Sequence, residues 1–211
     1  MEFELAAATP AKDRRVRRSR AALIQAAIAL VTERGTAAIP ISDIASAADV
    51  SRQLVYQHFG DRDALLLEGA LDLARTGLLP RFAEASAEGR ERALAMTRHF
   101  AEHRVFYRAM LNSSSAHALT KALSGLILPV NRRAVEAHFA EGHDPQQLDD
   151  LAVFITGGGA AFINAWVTDA EDPLDPEDLA DRLIGLLGII TAAVRQTAAS
   201  DVPVLKKETD R

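Results

Sequence analysis

The stretch ISDIASAADVSRQLVYQHF, residues 41–59, decides the fold of the N-terminal part of this chain. Its apolar residues form two groups at helical spacing: Ile44, Ala45 and Ala48 in the first, and Val50, Val55 and Phe59 in the second. Only Ala48, Asp49 and Val50 separate the two predicted helices, so the helices must cross steeply. Two short helices joined by so tight a turn predict a helix-turn-helix.

The second of these predicted helices has a polar outer face. When its apolar residues face the core, Arg52, Gln53, Gln57 and His58 are left on the outward face or its edges. In the major groove Arg can fork onto guanine O6 and N7, and Gln onto adenine N6 and N7. The pattern therefore favours DNA binding, and the alternative is an ordinary helical hairpin with a polar surface.

Charge is distributed unevenly along the chain. The 211 residues together carry a net charge of −5, which by itself argues against a nucleic-acid partner. Residues 1–62 nevertheless hold nine basic and seven acidic side chains, whereas the remainder holds 15 basic and 22 acidic ones. Six of those nine basic side chains lie within KDRRVRRSR, residues 12–20, and residues 141–181 contain neither Lys nor Arg. This asymmetry indicates two parts with different partners.

Composition excludes several classes of protein. A hydrophobic content of 48% is ample for a core, so a disordered chain is excluded. The absence of cysteine excludes a disulfide scaffold, a zinc finger, an iron–sulfur site and thiol catalysis. No stretch approaches the roughly 18 unbroken apolar residues of a membrane span, and the first residues are acidic before they are basic, unlike a signal peptide. We therefore expect a cytoplasmic protein with no membrane partner.

Helical periodicity recurs along the chain, and no stretch alternates apolar and polar residues with the period of a strand. This pattern predicts an all-α protein of about nine helices. The predicted helices cover residues 14–34, 42–47, 51–58, 61 to a break at 77–80, 90–111, two segments of 116–140 separated by Pro129, 144–168, and 175–197. Gly35 is placed to end the first helix in a left-handed conformation.

The C-terminal part contains a bulky apolar stripe. Met96, Phe100, His103, Tyr107 and Met110 recur at helical spacing on one face. Further along the chain are the large apolar residues Phe139, Phe154, Phe162 and Trp166. Such residues line a ligand pocket or simply pack as a core, and both interpretations stay open for each of them. His103 and Tyr107 are the polar groups of the stripe that could orient a ligand.

Catalytic and metal-binding motifs are missing from the pattern. His99 and His103 have the i, i+4 spacing of metal ligands, but no carboxylate-rich motif such as HExxH accompanies them. We therefore predict no metal site, no cofactor and no catalytic residue. A helical enzyme or carrier that uses the His99 and His103 region is the alternative from another class, and the lack of a nucleophile–base motif argues against it.

Glycines occur inside two of the predicted helices, where each costs about 1 kcal/mol relative to alanine. Gly157, Gly158 and Gly159 lie in the penultimate helix, and Gly185 and Gly188 lie in the last. Close approach of another helix is a reason to retain them. A two-fold dimer in which each subunit contributes two helices to a bundle follows from this pattern.

The block RRSRAALIQAAIALVTERGTAAIPISDIASAADVSRQLVYQHFGDRDALL, residues 17–66, resembles the N-terminal domain of the TetR/AcrR family of transcriptional regulators. The matching features are an Arg-led first helix ending in ERG, the DIA of the second helix, the VS entry to the recognition helix, and YQHF followed by ALL. AEHRVFYRAML and GGGAAFINAWVTDAEDPLDPEDLADRLIGLL resemble stretches of the family's C-terminal domain. Two departures are Asp49 at the usual turn glycine and Leu54 where a small polar residue is common.

The resemblance implies roles for individual residues at the DNA. Arg52, Gln53 and Gln57 correspond to positions that reach bases, and Ser51 stands at the entry to the recognition helix. Leu54, Tyr56 and His58 correspond to positions that contact the backbone or base edges. Ser42 and Arg62 correspond to phosphate anchors near helix N-termini, where free amides favour an anion. Arg17 belongs to the basic run that could neutralise further phosphates or enter the minor groove.

The resemblance also implies a small-molecule pocket and a dimer. The residues predicted to bind the ligand are Phe100, His103, Tyr107, Phe139, Phe154 and Phe162, and the last two long helices are predicted to pair with those of a second subunit. We divide the chain into a helix-turn-helix DNA-binding domain at residues 12–62 and a ligand-binding and dimerisation domain at residues 63–199. The expected protein is a homodimeric repressor that binds a palindromic operator, associates with the nucleoid when bound, and is released by a small molecule. A transcriptional activator or pleiotropic regulator on the same fold is the alternative.

Overall fold

A computed structural model describes residues 10–84, 89–140 and 143–200 of the chain, and within these ranges the regular structure is entirely helical. The helices are α1 (Pro10–Arg34), α2 (Ile41–Ala47), α3 (Arg52–Phe59), α4 (Arg62–Leu73), α5 (Leu79–Glu84), α6 (Gly89–Glu102), α7 (Arg104–Leu111), α8 (Ala116–Phe139), α9 (Pro145–Asp169) and α10 (Pro176–Ser200). A π-helical segment, Ala74–Leu78, joins α4 to α5 without a break. The predicted all-α class is confirmed.

The first three helices form the predicted helix-turn-helix unit. Gly35 has a φ of 64° and ends α1, and its amide donates to the carbonyl of Val31. Asp49 has a φ of 52° in the turn between α2 and α3, where the amide of Val50 donates to the carbonyl of Ala45. Aspartate tolerates this left-handed conformation better than most residues do, so the turn forms without the usual glycine.

Side-chain caps fix where several helices begin. The Ser51 hydroxyl accepts from the amide of Leu54 at the start of α3, and the Asp61 carboxylate accepts from that of Ala64 at the start of α4. Asp144 forms a complete capping box with Gln147 at the start of α9. Each cap satisfies amides that the first turn of a helix leaves free. These starts agree with the prediction from the sequence.

Two predicted helix breaks are absent. The segment at residues 77–80 continues as a π turn into α5, because the wider turn shifts the hydrogen-bond register and accommodates Pro80, which has no N–H. Pro129 lies inside the continuous helix α8. Pro129 and Gly125, whose carbonyl would normally pair with residue 129, are both exposed, so water can satisfy that carbonyl. Packing of α8 against α9 then outweighs the local preference of proline.

A third difference is an additional break within the predicted helix at residues 90–111. The chain leaves helical geometry at His103, with φ −110° and ψ 24°, and α7 restarts at Arg104. The restart directs the buried guanidinium of Arg104 towards the end of α9. Tertiary hydrogen bonds therefore determine this boundary, and periodicity alone did not reveal it.

One hydrophobic core joins the N-terminal helices to the rest of the molecule. The cluster includes Leu23 on α1, Val55 on α3, Leu66 on α4, Phe106 on α7 and Val167 on α9, all wholly or almost wholly buried. A second, smaller cluster lies between α8 and α9 and consists of Val135, Phe139, Leu148 and Ala152. The helix-turn-helix unit is thus packed onto the body through α1, α4 and α7.

Helix α4 is held at close range between its neighbours. A Cβ added at Gly69 would lie 3.2 Å from Cγ1 of Ile28 on α1 and 3.7 Å from Cζ of Phe106 on α7. Only the missing side chain allows this approach, because interiors are packed without spare volume. The position of α4 therefore depends on both the helix before it and the body behind it.

Arg104 connects α7 to the chain that leaves α9. Its Nε donates to the carbonyl of Val167 at 3.1 Å, and its two terminal nitrogens donate to the carbonyl of Ala170 and the carboxylate of Asp172. The Arg104 side chain is 8% exposed, whereas that of Asp172 is 75% exposed. The stabilisation therefore comes mainly from satisfying buried carbonyls at a helix C-terminus.

We expect Arg104→Leu to lower the free energy of unfolding by about 2–4 kcal/mol, because it leaves two inward carbonyls without donors. Urea denaturation at a fixed protein concentration measures the change. Arg108→Leu is the matched control, because Arg108 lies one turn later on α7, is exposed and forms no side-chain hydrogen bond or ion pair within the described residues. The control should stay within about 0.5 kcal/mol of the parent. Equal effects of the two substitutions would contradict this role of Arg104.

Candidate nucleic-acid interface and ligand cavity

Helix α3 has one buried face and one polar face. Val55 is fully buried in the core, whereas Arg52, Gln53, Tyr56 and Gln57 are exposed. The Tyr56 ring is 54% exposed, which is unusual for a large aromatic side chain. This face carries side chains that suit base edges and phosphates. Leu54 is half-buried, so it lies at the edge of the face.

His58 does not lie on this outer face. Its Nε2 is 3.0 Å from the hydroxyl oxygen of Ser19, and its carbonyl accepts from the Arg20 guanidinium at 3.0 Å. Burial, followed by the positive charge of Arg20, lowers the pKa of His58 below its usual value. His58 is half-buried at the edge of the polar face, where its ring is turned towards α1, and its contact with DNA stays a prediction. The ring turns this way because α1 offers both a hydroxyl partner and a donor for the end of α3.

Arg20 performs a structural role that the basic run did not reveal. Besides the carbonyl of His58, its guanidinium contacts the Glu68 carboxylate at 3.4 Å and lies 4.4 Å from the centre of the Phe59 ring. It therefore ties α1 to the ends of α3 and α4. Arg17, one turn earlier, is exposed and is free to meet a polyanion. Helical spacing alone does not distinguish the two, because both belong to KDRRVRRSR.

The predicted phosphate anchors lie near helix starts. Ser42 is exposed in the first turn of α2, and its hydroxyl donates to Asp43 at 3.1 Å. Hydrogen bonds from Arg34 and Ser42 lower the pKa of Asp43. Arg62 is the first residue of α4 and contacts the neighbouring Asp63 carboxylate at 2.9 Å. Ser42 and Ser51 both stay exposed for a further hydrogen bond, and Arg62 stays partly exposed.

A mainly apolar cavity of about 400 Å³ lies between α6, α8, α9 and α10. Its volume falls within the range of small-molecule sites. Three of the residues predicted to bind a ligand line it, namely Phe100, Phe154 and Phe162. Met96, Leu123, Ile127 and Leu183 contribute further apolar surface.

The polar groups in the cavity wall were not predicted. Asn131 donates to the hydroxyl of Thr156 at 2.9 Å, and Asn164 donates to that of Thr120 at 3.0 Å. Arg92 also lines the wall, and its Nε is buried without a hydrogen-bond partner among the described residues. No local sequence motif predicts these residues, because they lie on different helices. They become neighbours only when the bundle is assembled.

The other three predicted ligand residues lie outside the lining of this cavity. Tyr107 is fully buried in the core, and its hydroxyl lies 2.9 Å from Nε2 of His99. Phe139 belongs to the small cluster between α8 and α9. His103 is half-buried at the kink between α6 and α7. His103 lies at the helix break and Tyr107 follows it, and the Tyr107 ring packs against that of Phe100 from the core side, with the ring centres 4.7 Å apart.

The side chains of His99 and His103 pack against each other in the structure. Burial lowers the pKa of His99 to about 3, with smaller contributions from His103 and Arg81, so its ring is neutral. A Cβ on Gly77 would lie 3.2 Å from Nδ1 of His99, so the ring packs directly on the π segment. Within the ranges that the structure describes, no group of three or more potential metal ligands is found.

A second, wider cleft of about 880 Å³ separates the N-terminal helices from the body. Its walls include Thr36, Arg62, Arg108, Asn112 and Asp172. About half of the surface that lines this cleft is polar, so it lacks the mainly apolar surface that typifies a small-molecule site. We therefore regard the smaller cavity as the candidate ligand site.

Helices α9 and α10 carry an exposed apolar face. Phe154 is 65% exposed and Ile189 is 69% exposed, and Val153 and Leu186 lie beside them. The adjacent glycines at 157, 158, 185 and 188 have open space where a Cβ would stand. Helix α9 is also long and apolar enough to cross a membrane, by length and composition only. Exposed large apolar side chains of this kind on two helices are typical of a protein–protein interface.

Two family models match this chain. The model described as bacterial regulatory proteins, tetR family, matches residues 23–68, and the model described as transcriptional regulator C-terminal region matches residues 90–188. The first match covers the C-terminal half of α1, all of α2 and α3, and the first part of α4. The first match lies in the N-terminal helices and the second in the body, which is the order that the sequence predicts.

Curated relatives match over part of their length. The HTH-type transcriptional repressor Rv3405c of Mycobacterium tuberculosis and the HTH-type transcriptional regulator Mb3439c of Mycobacterium bovis are each 44% identical over 93 residues. The aligned segment covers 44% of this chain and 46% of each relative, so the chain spans about half the length of the curated relatives it matches.

Solved structures show the same fold. The dihydroxyacetone kinase operon activator DhaS has a TM-score of 0.56 at 16% identity, covering 83% of this chain and 97% of that one. A tetR-family transcriptional regulator from Streptomyces coelicolor has a TM-score of 0.55 at 19% identity, covering 89% and 90%. With the helix-turn-helix geometry and both family models in agreement, the chain belongs to the TetR family of bacterial regulatory proteins.

Proposed function

We propose that this protein is a DNA-binding transcriptional regulator that acts as a repressor. The observation that carries the proposal is the exposed polar face of α3, with Arg52, Gln53, Tyr56 and Gln57 held outward by the buried Val55. The Mycobacterium tuberculosis relative Rv3405c is an HTH-type transcriptional repressor, which favours repression over activation. The protein then works in the cytoplasm and associates with the nucleoid when it is bound to DNA.

The proposed contacts divide by type. Arg52, Gln53 and Gln57 read base edges in the major groove, and Tyr56 and Leu54 meet the backbone or a thymine methyl group. Ser42, Ser51, Arg62 and Arg17 hold phosphates near helix starts and along α1. His58 contributes by fixing the end of α3 against α1 through Ser19 and Arg20.

We place the DNA-binding domain at residues 12–62 and the ligand-binding and dimerisation domain at residues 63–199. Helix α4 begins at Arg62, so this division puts nearly all of α4 in the body. The close packing of Gly69 against α1 and α7 supports the proposal that a movement of α4 in the body also moves the DNA-binding domain. A ligand then releases the operator by shifting the dimer towards a conformation in which the distance between its two DNA-binding domains no longer fits the operator.

The dimer is proposed to form through α9 and α10. Phe154 and Ile189 supply exposed apolar surface, and the open glycine positions let helices of a second copy approach closely. A two-fold dimer places its two recognition helices in successive major grooves, about 34 Å apart, and so matches a palindromic operator. Burial in this dimer interface also explains the apolar character of α9 without a membrane.

The first prediction concerns base readout. We expect Arg52→Ala combined with Gln57→Ala to weaken binding to the specific operator by about 2–5 kcal/mol in total, since each good bidentate contact contributes about 1–3 kcal/mol. Fluorescence anisotropy, on an operator selected from random DNA by the parent protein, measures the loss. Arg98→Ala on the surface of α6 is the control and should leave the affinity unchanged. Unchanged operator affinity in the double variant would sink the proposal.

The second prediction concerns phosphate contacts. We expect Arg62→Ala to weaken binding to operator and scrambled DNA alike, because a phosphate contact carries no sequence information. The slope of log affinity against log salt should become shallower by about 0.9 for each phosphate that the variant no longer neutralises. Anisotropy titrations at several salt concentrations check this. A weakening confined to the operator would assign Arg62 to base readout instead.

The third prediction concerns the dimer. We expect Ile189→Asp to convert the dimer into monomers, because it places an unpaired charge in the centre of the apolar face. Sedimentation velocity over a range of protein concentrations detects the change. Val105→Asp is the matched control, since Val105 is 47% exposed on α7, away from that face, and the variant should stay dimeric. A dimeric Ile189→Asp protein would exclude the α9–α10 interface.

A further inference from the structure

Arg92 is the one guanidinium among the described residues that line the apolar cavity. It lies on α6, one turn before Met96 and two turns before Phe100, both of which also line the cavity. Arg92 is half-buried: its Nε is buried without a hydrogen-bond partner, whereas its terminal nitrogens reach solvent and form no hydrogen bond or ion pair with the part of the chain that the structure describes. The neighbouring Arg90 and Arg98 are both paired with the carboxylate of Glu177.

An unpaired buried donor on a charged group is costly. Arginine stays protonated in proteins, so it cannot relieve the cost by losing its charge. Removal from water without a replacement hydrogen bond penalises the folded state. Most buried polar groups in proteins are paired, so the unpaired Nε leaves the Arg92 guanidinium available to an anionic partner in the cavity.

Two asparagine–threonine pairs in the cavity wall are hydrogen-bonded. Asn131 donates to Thr156, Asn164 donates to Thr120, and the Thr156 hydroxyl donates to the carbonyl of Ala152. These pairs satisfy themselves and carry no net charge. Within the described lining, the cavity therefore has one unsatisfied positive group on an otherwise apolar surface.

We propose that the effector of this protein is an amphipathic carboxylic acid whose carboxylate binds the Arg92 guanidinium and whose apolar body fills the cavity. The inference rests on the proposed ligand response, because it assigns a chemical class to the same cavity. A carboxylate matches the planar fork of arginine with two parallel hydrogen bonds and neutralises its charge. Phe82, Met96, Phe100, Ile127 and Phe162 then surround the apolar body.

A phosphate monoester is a poorer match. It carries close to two negative charges and three acceptor oxygens, and the described residues of the wall offer no second cation to balance them. A neutral alcohol or alkane would leave the guanidinium without a charged partner. Carboxylic acids therefore fit the charge and the polarity of the wall together.

The test uses the full-length dimer without DNA and compares dodecanoate with dodecanol by isothermal titration calorimetry. The parent protein should bind dodecanoate about tenfold to a hundredfold more tightly than dodecanol, the range of a charge-assisted hydrogen bond. Arg92→Met should lose that preference by the same factor while keeping its affinity for dodecanol. Retained dodecanol binding and an unchanged or raised melting temperature show that the variant is folded.

Two further variants sharpen the result. Arg92→Lys keeps the charge but loses the fork, and it should retain part of the preference for the acid. Arg98→Met, which replaces an exposed arginine on the same helix, should bind both probes like the parent. Equal affinity of the parent for dodecanoate and dodecanol, or an Arg92→Met protein that still prefers dodecanoate, would overturn the assignment.

A separate DNA measurement keeps this proposal distinct from the proposed function. If dodecanoate binds through Arg92 but leaves operator affinity unchanged, release by the acid is contradicted while the binding site stands. If operator affinity falls on adding dodecanoate in both the parent and Arg92→Met, ligand response stands and the role of Arg92 is contradicted. If the parent binds no DNA, the proposed function fails independently of the ligand titrations.

Discussion

The close packing of α4 between α1 and α7 is the constraint on which the rest of this structure depends. Gly69 lets Ile28 and Phe106 approach α4 closely. A methyl group there would lie 3.2 Å from Ile28, whose side chain would have to shift slightly, and in ordinary contact with Phe106 at 3.7 Å. The core is consequently continuous from Leu23 on α1 to Val167 on α9. Helix α4 therefore packs against both the DNA-binding helices and the body.

Local signals predicted the helix-turn-helix, whereas tertiary contacts determined its finer detail. The spacing of Ile44 and Val55 and the caps at Ser51 and Asp61 are properties of a few neighbouring residues, so the sequence was sufficient to locate the helices that they define. Arg20 and His58 are different, because their partners lie about 40 residues away on another helix. Composition alone suggests that every arginine of the basic run contacts phosphates. In the structure, one of them, Arg20, instead stabilises the packing of α1 against α3 and α4.

The body was harder to predict for the same reason. The kink at His103 serves Arg104, whose acceptors lie at the end of α9, and no pattern within residues 90–111 encodes it. Once the kink is in place, Phe100 stays on the cavity and Tyr107 turns into the core. The stripe that helical periodicity defines therefore has two parts: Met96 and Phe100 line the cavity, and Tyr107 and Met110 pack in the core. Pro129 shows the converse, since packing against α9 preserves a helix that local preference would end.

Helix α6 brings the cavity and the core into contact. Arg92 and Phe100 face the cavity, and the Phe100 ring lies 4.7 Å from that of Tyr107. The Tyr107 hydroxyl in turn lies 3.5 Å from the carbonyl of Ala70 on α4. A ligand that repositions Phe100 therefore acts on a ring packed against the helix that connects the two parts of the molecule. In the proposed ligand response, a displacement of Phe100 would reach α4 through these packed rings, and a ligand must bind the two spacings with different affinities to shift their populations.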